Sequence, residues 1–130
     1  MSGNAAPIVV AIRAELRWND TGIRLEAGGT YDLLAEGTWT DLFVPSGPDG
    51  NPDPSWMQRR AARWLRVKEE NYFALIGALD RDLSTAFRIG HAARGFRATR
   101  SGQLTCFAND VPGFYWNNRG AVRLTVTRTG

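Results

Sequence analysis

The chain is poor in the residues that most often carry catalysis. Its 130 residues include one cysteine, one histidine and one lysine. Cys106 has no partner for an internal disulfide and no zinc-type spacing, which fits a reducing compartment. It sits among Leu104, Phe107 and Ala108, so a buried, inert thiol is expected rather than a nucleophile. His91 follows Gly90 in an expected turn, without a second histidine to share a metal and without a Gly-x-Ser-x-Gly elbow anywhere in the chain. No glycine-rich phosphate loop follows a strand pattern. The expectation is a protein that is not an enzyme.

Long apolar runs are also missing. Tyr72 to Leu79 is closed by Asp80, far short of the roughly 20 residues a membrane-spanning helix needs. The first residues lack the basic start and apolar stretch of a secretory signal, so the expected location is cytoplasmic, or outside by a non-classical export route. Basic groups number 16 against 13 acidic, a net charge of +3 carried almost wholly by arginine. So small a surplus gives no reason to expect a nucleic acid or a membrane as partner.

What is present is alternation. Ile8, Val10 and Ile12 share one side of a segment, as do Tyr31, Leu33 and Ala35, while Val122, Leu124 and Val126 alternate with Arg123, Thr125 and Thr127. A period of two means strands with one buried and one wet face. Tyr72 to Leu79 reads as a strand buried on both faces. Shorter strands fit Ile23 to Glu26, Phe87 to Ile89, Gly95 to Thr99 and Gln103 to Ala108, with turns at Gly28-Gly29, Gly90, Ser101-Gly102 and Asn118-Arg119-Gly120. Seven or eight short strands make an all-β, antiparallel β-sandwich. Residues 1–6 are expected to be a flexible start and 7–130 a single sandwich domain. The predicted core includes Val10, Ile12, Leu33, Leu75, Leu104, Val122, Leu124 and Val126.

Residues 44–54 are dense in proline and glycine and read as a loop. Asp49, Asn51 and Asp53 have the alternate spacing of a calcium loop, but the later bidentate acid is missing, so turn chemistry is the expected role. Trp56 to Glu70 fits one short amphipathic helix, with Met57, Ala61, Trp64 and Leu65 facing the sandwich and Arg59, Arg63 and Arg66 in water. Its second half, Leu65 to Lys68, is equally compatible with a strand.

Asn109-Asp-Val-Pro-Gly-Phe-Tyr-Trp-Asn-Asn-Arg-Gly120 concentrates short oxygen-bearing side chains between two strands. Calcium takes six to eight oxygens. A bend at Pro112-Gly113 can bring Asp110 opposite Asn117 and Asn118, so that one carboxylate and two amides make a calcium site whose remaining waters two sugar hydroxyls displace. The same residues also suit a plain connection built on asparagine turns.

Asn109-Asp-Val-Pro-Gly-x-Tyr-x-Asn-Asn-x-Gly120 followed by an alternating last strand resembles the signature of the PA-IL family of calcium-dependent galactose-binding lectins. Looser matches run back through Ser101-Gly-Gln-Leu104, Phe87-Arg-Ile-Gly90, Ala74-Leu-Ile-Gly77 and Ala35-Glu-Gly-Thr-Trp39, leaving only the region 44–70 uncovered. The resemblance implies a small jelly-roll, galactose-binding-like fold. It implies calcium as cofactor, held by the side chains of Asp110, Asn117 and Asn118, the carbonyl of Phe114 and a further carbonyl near Asp41. It implies sugar contacts at Asp110, Phe114, Trp116, Asn117 and Asn118, a galactoside-like carbohydrate as ligand, and leaves a homo-oligomer open. Phe114 stands where the family has threonine and Trp116 where it has glycine, which makes the rim bulkier. The family's sugar-contacting histidine and glutamine belong to the loop that here runs from Pro45 to Trp56 and holds no histidine. The competing reading is a non-catalytic β-sandwich interaction module that has lost calcium and sugar.

Overall fold

Strands form where alternation or continuous apolarity is strongest, and two antiparallel sheets result. The computed structural model describes residues 5–130; residues 1–4, most of the expected flexible start, lie outside them. The strands are β1 (Ile8–Arg13), β2 (Asn19–Leu25), β3 (Thr30–Asp41), β4 (Val44–Ser46) and β5 (Asp49–Asn51). After the helix α1 (Trp56–Ala61) come β6 (Tyr72–Leu79), β7 (Asp82–Arg88), β8 (Ala92–Arg97), β9 (Gly102–Ala108) and β10 (Asn118–Arg128). One sheet runs β1-β10-β3, with β4 and β8 both on the far side of β3. The other runs β2-β9-β6, with β5 and β7 both on the far side of β6. This is the all-β sandwich expected from the alternation.

Between the sheets lie Ile12, Leu25, Leu33, Leu75, Leu104 and Leu124, each no more than 1% exposed. Trp39 and Phe73 meet edge to face, ring centres 5.7 Å apart, an arrangement favoured by the ring quadrupoles. All eight residues of β6 are buried, because its second face is covered by Trp18, Val67 and Ala86 packed on Ala74, Ile76 and Phe107. Val10 is only half-buried and Ile8 is 48% exposed, since β1 is an edge strand and only its inner end reaches the core.

Two expected loops are partly strand. Asn118-Arg119-Gly120 opens β10 instead of turning, because β3 is 12 residues long and offers Asp41, Thr40 and Trp39 as partners for those three residues. Gly120 takes φ +87 there, and a Cβ would lie 3.1 Å from the Trp39 Cα, so glycine is needed for both conformation and space. Within 44–54, β4 pairs with the end of β3 and β5 with the start of β6.

The helix is shorter than its amphipathic pattern. Ser55 caps α1 by accepting from the Gln58 amide while the Gln58 side chain accepts from the Ser55 amide, a reciprocal capping box. A single 3-10 turn, Ala62–Trp64, follows and the chain then extends at Leu65. Asn109 explains the stop. Its Oδ1 accepts from the Val67 amide at 3.0 Å, and its Nδ2 donates to the carbonyls of Val67 and Asn71 at 2.8 and 3.1 Å. Side-chain bonds thus replace a helical ladder through 67–71. Leu65 is buried as expected, packed with Tyr72 and Val111. Trp64 and Met57 are 53% and 51% exposed, contrary to expectation: Trp64 falls in the 3-10 turn beyond the helix, and Met57 lines a half-open cavity rather than the core.

Arg66 is not in open water either. Its guanidinium carbon lies 3.6 Å from the Phe107 ring centre and 4.5 Å from that of Trp18. Its Nη1 donates to the Arg17 carbonyl at 2.6 Å and to the Tyr115 hydroxyl at 2.9 Å. Arg59 and Arg63 are exposed as expected.

Candidate functional site

Three chain segments converge at one end of the sandwich. β9 runs out at Ala108 and delivers Asp110, β10 begins at Asn118, and β3 ends at Asp41, whose register partner across the ladder is Asn118. The connection 109–117 closes with a 3-10 turn, Tyr115–Asn117. Tyr115 anchors that turn by donating from its hydroxyl to the Ala108 carbonyl at 2.6 Å. The Leu42 amide donates to the Asn117 carbonyl at 3.1 Å, tying the β3 end to the same turn.

Asp110 is 2% exposed. Its Oδ1 accepts from the Val111 amide at 2.7 Å and its Oδ2 from Asn118 Nδ2 at 2.9 Å. Burial pushes its carboxyl up to about 7, and the nearby charge of Asp41 adds to that, against the opposing pull of the Asn118 and Val111 hydrogen bonds. Asp41 is also pushed upward by burial, although it accepts from Gln58 Nε2 at 2.8 Å. The Tyr72 hydroxyl is raised to about 12, first by burial and then by the charges of Asp110 and Asp41. Burial thus disfavours the charged form of both carboxylates, the charge of Asp41 further disfavours that of Asp110, and among the described residues no positive side chain lines the cavity they share.

The amides complete the pattern. Asn118 uses its Nδ2 on Asp110 and on the Ala14 carbonyl, while its Oδ1 is buried without a partner; the Asn117 Oδ1 is likewise buried and unpartnered. Buried acceptors left unmade are costly and call for an explanation. Two orphaned oxygens beside two like-charged carboxylates form a hard, oxygen-only donor set of the kind that suits calcium. Among the described residues no three His, Cys, Asp or Glu side chains cluster, so a cation here would rest on two carboxylates with amide and main-chain oxygens.

The cavity around these groups measures about 320 Å³. Asp41, Asp110, Phe114 and Asn117 line it, whereas Trp116 does not and is 78% exposed. The expectation near Asp41 named a carbonyl; Asp41 lines the cavity, and its carboxylate accepts from Gln58. Gln58 and Tyr72 were not singled out from the sequence. Ser55-Trp-Met-Gln58 does carry the spacing of a capping box, a signal that places Gln58 at a helix start but not against Asp41.

The other calcium-like spacing is spent elsewhere. Asp49 accepts from the His91 amide at 2.8 Å and from Arg88 at 3.0 Å, Asn51 accepts from the Asp53 amide at 3.0 Å, and Asp53 pairs with Arg59. Turn and ion-pair chemistry accounts for all three. Cys106 is fully buried, and burial pushes its thiol far up.

No protein-family model matches the chain, and no curated protein sequence does. Among solved structures, the PllA-like lectin described as the EclA N-terminal domain superposes with a TM-score of 0.67 at 19% identity, over 92% of this chain and 94% of that one. The chain has a PllA-like lectin fold. At that identity the likeness establishes the architecture, and the site must be argued from its own atoms.

Proposed function

We propose that this chain is a non-catalytic, calcium-dependent carbohydrate-binding domain. The observation that carries the reading is the pair of orphaned oxygens, Asn117 Oδ1 and Asn118 Oδ1, beside the buried carboxylates Asp41 and Asp110. In this reading the side chains of Asp41, Asp110, Asn117 and Asn118 hold the ion, joined by the Phe114 carbonyl that the family resemblance implies. Bound calcium supplies coordination positions for a pair of sugar hydroxyls in place of water. Asn118 also holds Asp110 in place through the 2.9 Å bond, and the Tyr72 hydroxyl stands ready to donate to a carboxylate or a sugar oxygen. The lectin fold of the solved neighbour supports carbohydrate as the ligand class.

Calorimetric titration with calcium, then with methyl galactoside in calcium and in EDTA, tests the reading. Calcium uptake followed by chelator-sensitive sugar binding is expected. Failure to bind calcium at millimolar concentration would leave the β-sandwich interaction module as the better account.

A further inference from the structure

Some side chains of this molecule point into water although the fold has no use for them there. Phe43, Trp116 and Trp56 are the most exposed large apolar side chains among the described residues, at 80%, 78% and 66%. One exposed apolar residue is ordinary, whereas a group of them on one surface marks a place that meets something. These three ring one opening, since their chain neighbours Leu42, Val44, Ser55, Met57 and Asn117 all line the same cavity. Phe43 is held out under strain. With Leu42 it forms the two-residue loop between the paired residues Asp41 and Val44, where asparagine and glycine are usual because the backbone must turn left-handed. Leu42 takes φ +56, a conformation that its Cβ disfavours. The β3–β4 hairpin thus keeps an apolar tip that simple turn chemistry would not select.

The charge beside the aromatic rings is concentrated. Residues 55–64 hold Arg59, Arg60 and Arg63 and no acidic residue, a local charge as large as the net charge of the whole chain, +3. Arg59 pairs with Asp53. Arg60 and Arg63 make no ion pair among the described residues, and the Arg63 guanidinium carbon lies 4.2 Å from the Trp64 ring centre. Trp56, Arg60, Arg63 and Trp64 are all exposed along α1 and the 3-10 turn after it. Tryptophan favours the boundary between hydrocarbon and water, and arginines beside it attract anionic head groups. We propose that this surface docks on an anionic phospholipid bilayer, with Phe43 and Trp56 entering the interface and Arg60 and Arg63 meeting the head groups. A nucleic acid strand fits less well, because the hairpin end 41–46 contains no basic residue and offers apolar contact without phosphate contact. The proposal needs neither calcium nor sugar.

The test is co-sedimentation in EDTA with glycolipid-free vesicles of phosphatidylcholine alone and of phosphatidylcholine mixed with phosphatidylserine. Binding to the mixed vesicles is expected, much weaker binding to phosphatidylcholine alone, and quenching of tryptophan fluorescence when the acyl chains are brominated. Phe43→Ser and Trp56→Ser, at exposed positions, should each weaken binding on the order of tenfold through lost apolar burial. Arg60→Gln combined with Arg63→Gln should weaken it on the order of thirtyfold. Unchanged thermal unfolding of the variants shows that the fold is kept. Absence of binding to the mixed vesicles overturns the proposal, as does binding that ignores Phe43→Ser and Trp56→Ser, which would reduce the contact to adsorption by charge. Tighter binding of a single-stranded oligonucleotide than of the mixed vesicles would assign the surface to nucleic acid instead. A mass above the monomer by light scattering in lipid-free buffer, removed by Phe43→Ser, would assign it to a second copy of the chain. Because chelator is present and glycolipid absent throughout, the outcome is independent of whether the calcium-sugar site holds.

Discussion

Gln58 donates from Nε2 to Asp41 Oδ2 at 2.8 Å, and through that bond the helix start is fastened to the end of β3. The same side chain accepts from the Ser55 amide at 2.9 Å, so one buried amide both caps α1 and aims a carboxylate. One side chain therefore links the start of the helix to the end of β3.

Gln58→Ala is expected to do two things at once. Loss of the reciprocal cap should lower stability by about 1 kcal/mol, and Asp41, freed to rotate, should hold calcium several-fold more weakly. Thermal unfolding in EDTA reads the first effect and calcium calorimetry the second. Unchanged calcium affinity would show that Asp41 is not a ligand.

Asp110 makes the metal-free protein pH-sensitive. Its carboxyl is raised to about 7 by burial and by Asp41, whereas an unfolded aspartate titrates near pH 4. The folded state therefore binds the extra proton between those values, and the contribution of this group to stability falls as pH rises from about 4 to about 7, then levels off. In EDTA, Asp110→Asn should remove that slope, matching the wild type near pH 4 and exceeding it at pH 8. With calcium present the order reverses, because the variant lacks the charge the ion needs. Denaturant midpoints across pH, with and without calcium, check both signs.

Leu124 and Arg123 are neighbours with opposite fates. Leu124 is fully buried, while Arg123 is exposed and pairs with Glu36 on the wet face. Leu124→Ala should cost about 2 to 5 kcal/mol through the cavity it leaves, and Arg123→Ala less than about 1 kcal/mol, as for other solvent-exposed ion pairs. Chemical denaturation of the two variants measures the contrast.

The arginines of 56–70 should separate just as clearly. Arg66 is stacked on Phe107 and bonded to the Arg17 carbonyl and the Tyr115 hydroxyl. Arg66→Lys keeps the charge but loses the planar stack and fork, and is expected to cost on the order of 1 to 2 kcal/mol. Arg63→Ala, at an exposed position, should be nearly neutral. Equal melting temperatures for the two variants would show that the stack adds nothing.

Local chemistry in the chain determined the strands and part of the site. Alternation along 122–126 assigns each side chain to a face because neighbours on a strand must point opposite ways. The unbroken apolar run of β6 could only be satisfied between two covering layers. Asp110, Asn117 and Asn118 were legible as a cluster because they lie within nine residues on one connection, where a short bend suffices to join them. Tertiary structure decided what depends on distant partners. Asn118 to Gly120 became strand because β3 continues to Asp41 and offers a ladder that the local turn signal could not reveal. The Asp41 carboxylate is fixed against the helix start because Gln58, 17 residues away, donates to it. The helix stopped at Ala61, leaving Trp64 outside, because Asn109 captures the backbone of 67–71 from 38 to 42 residues away. The cavity exists only where α1 faces the 109–117 connection. A linear pattern records which residues are apolar or oxygen-bearing, whereas register and capture by a remote amide determine which of them meet.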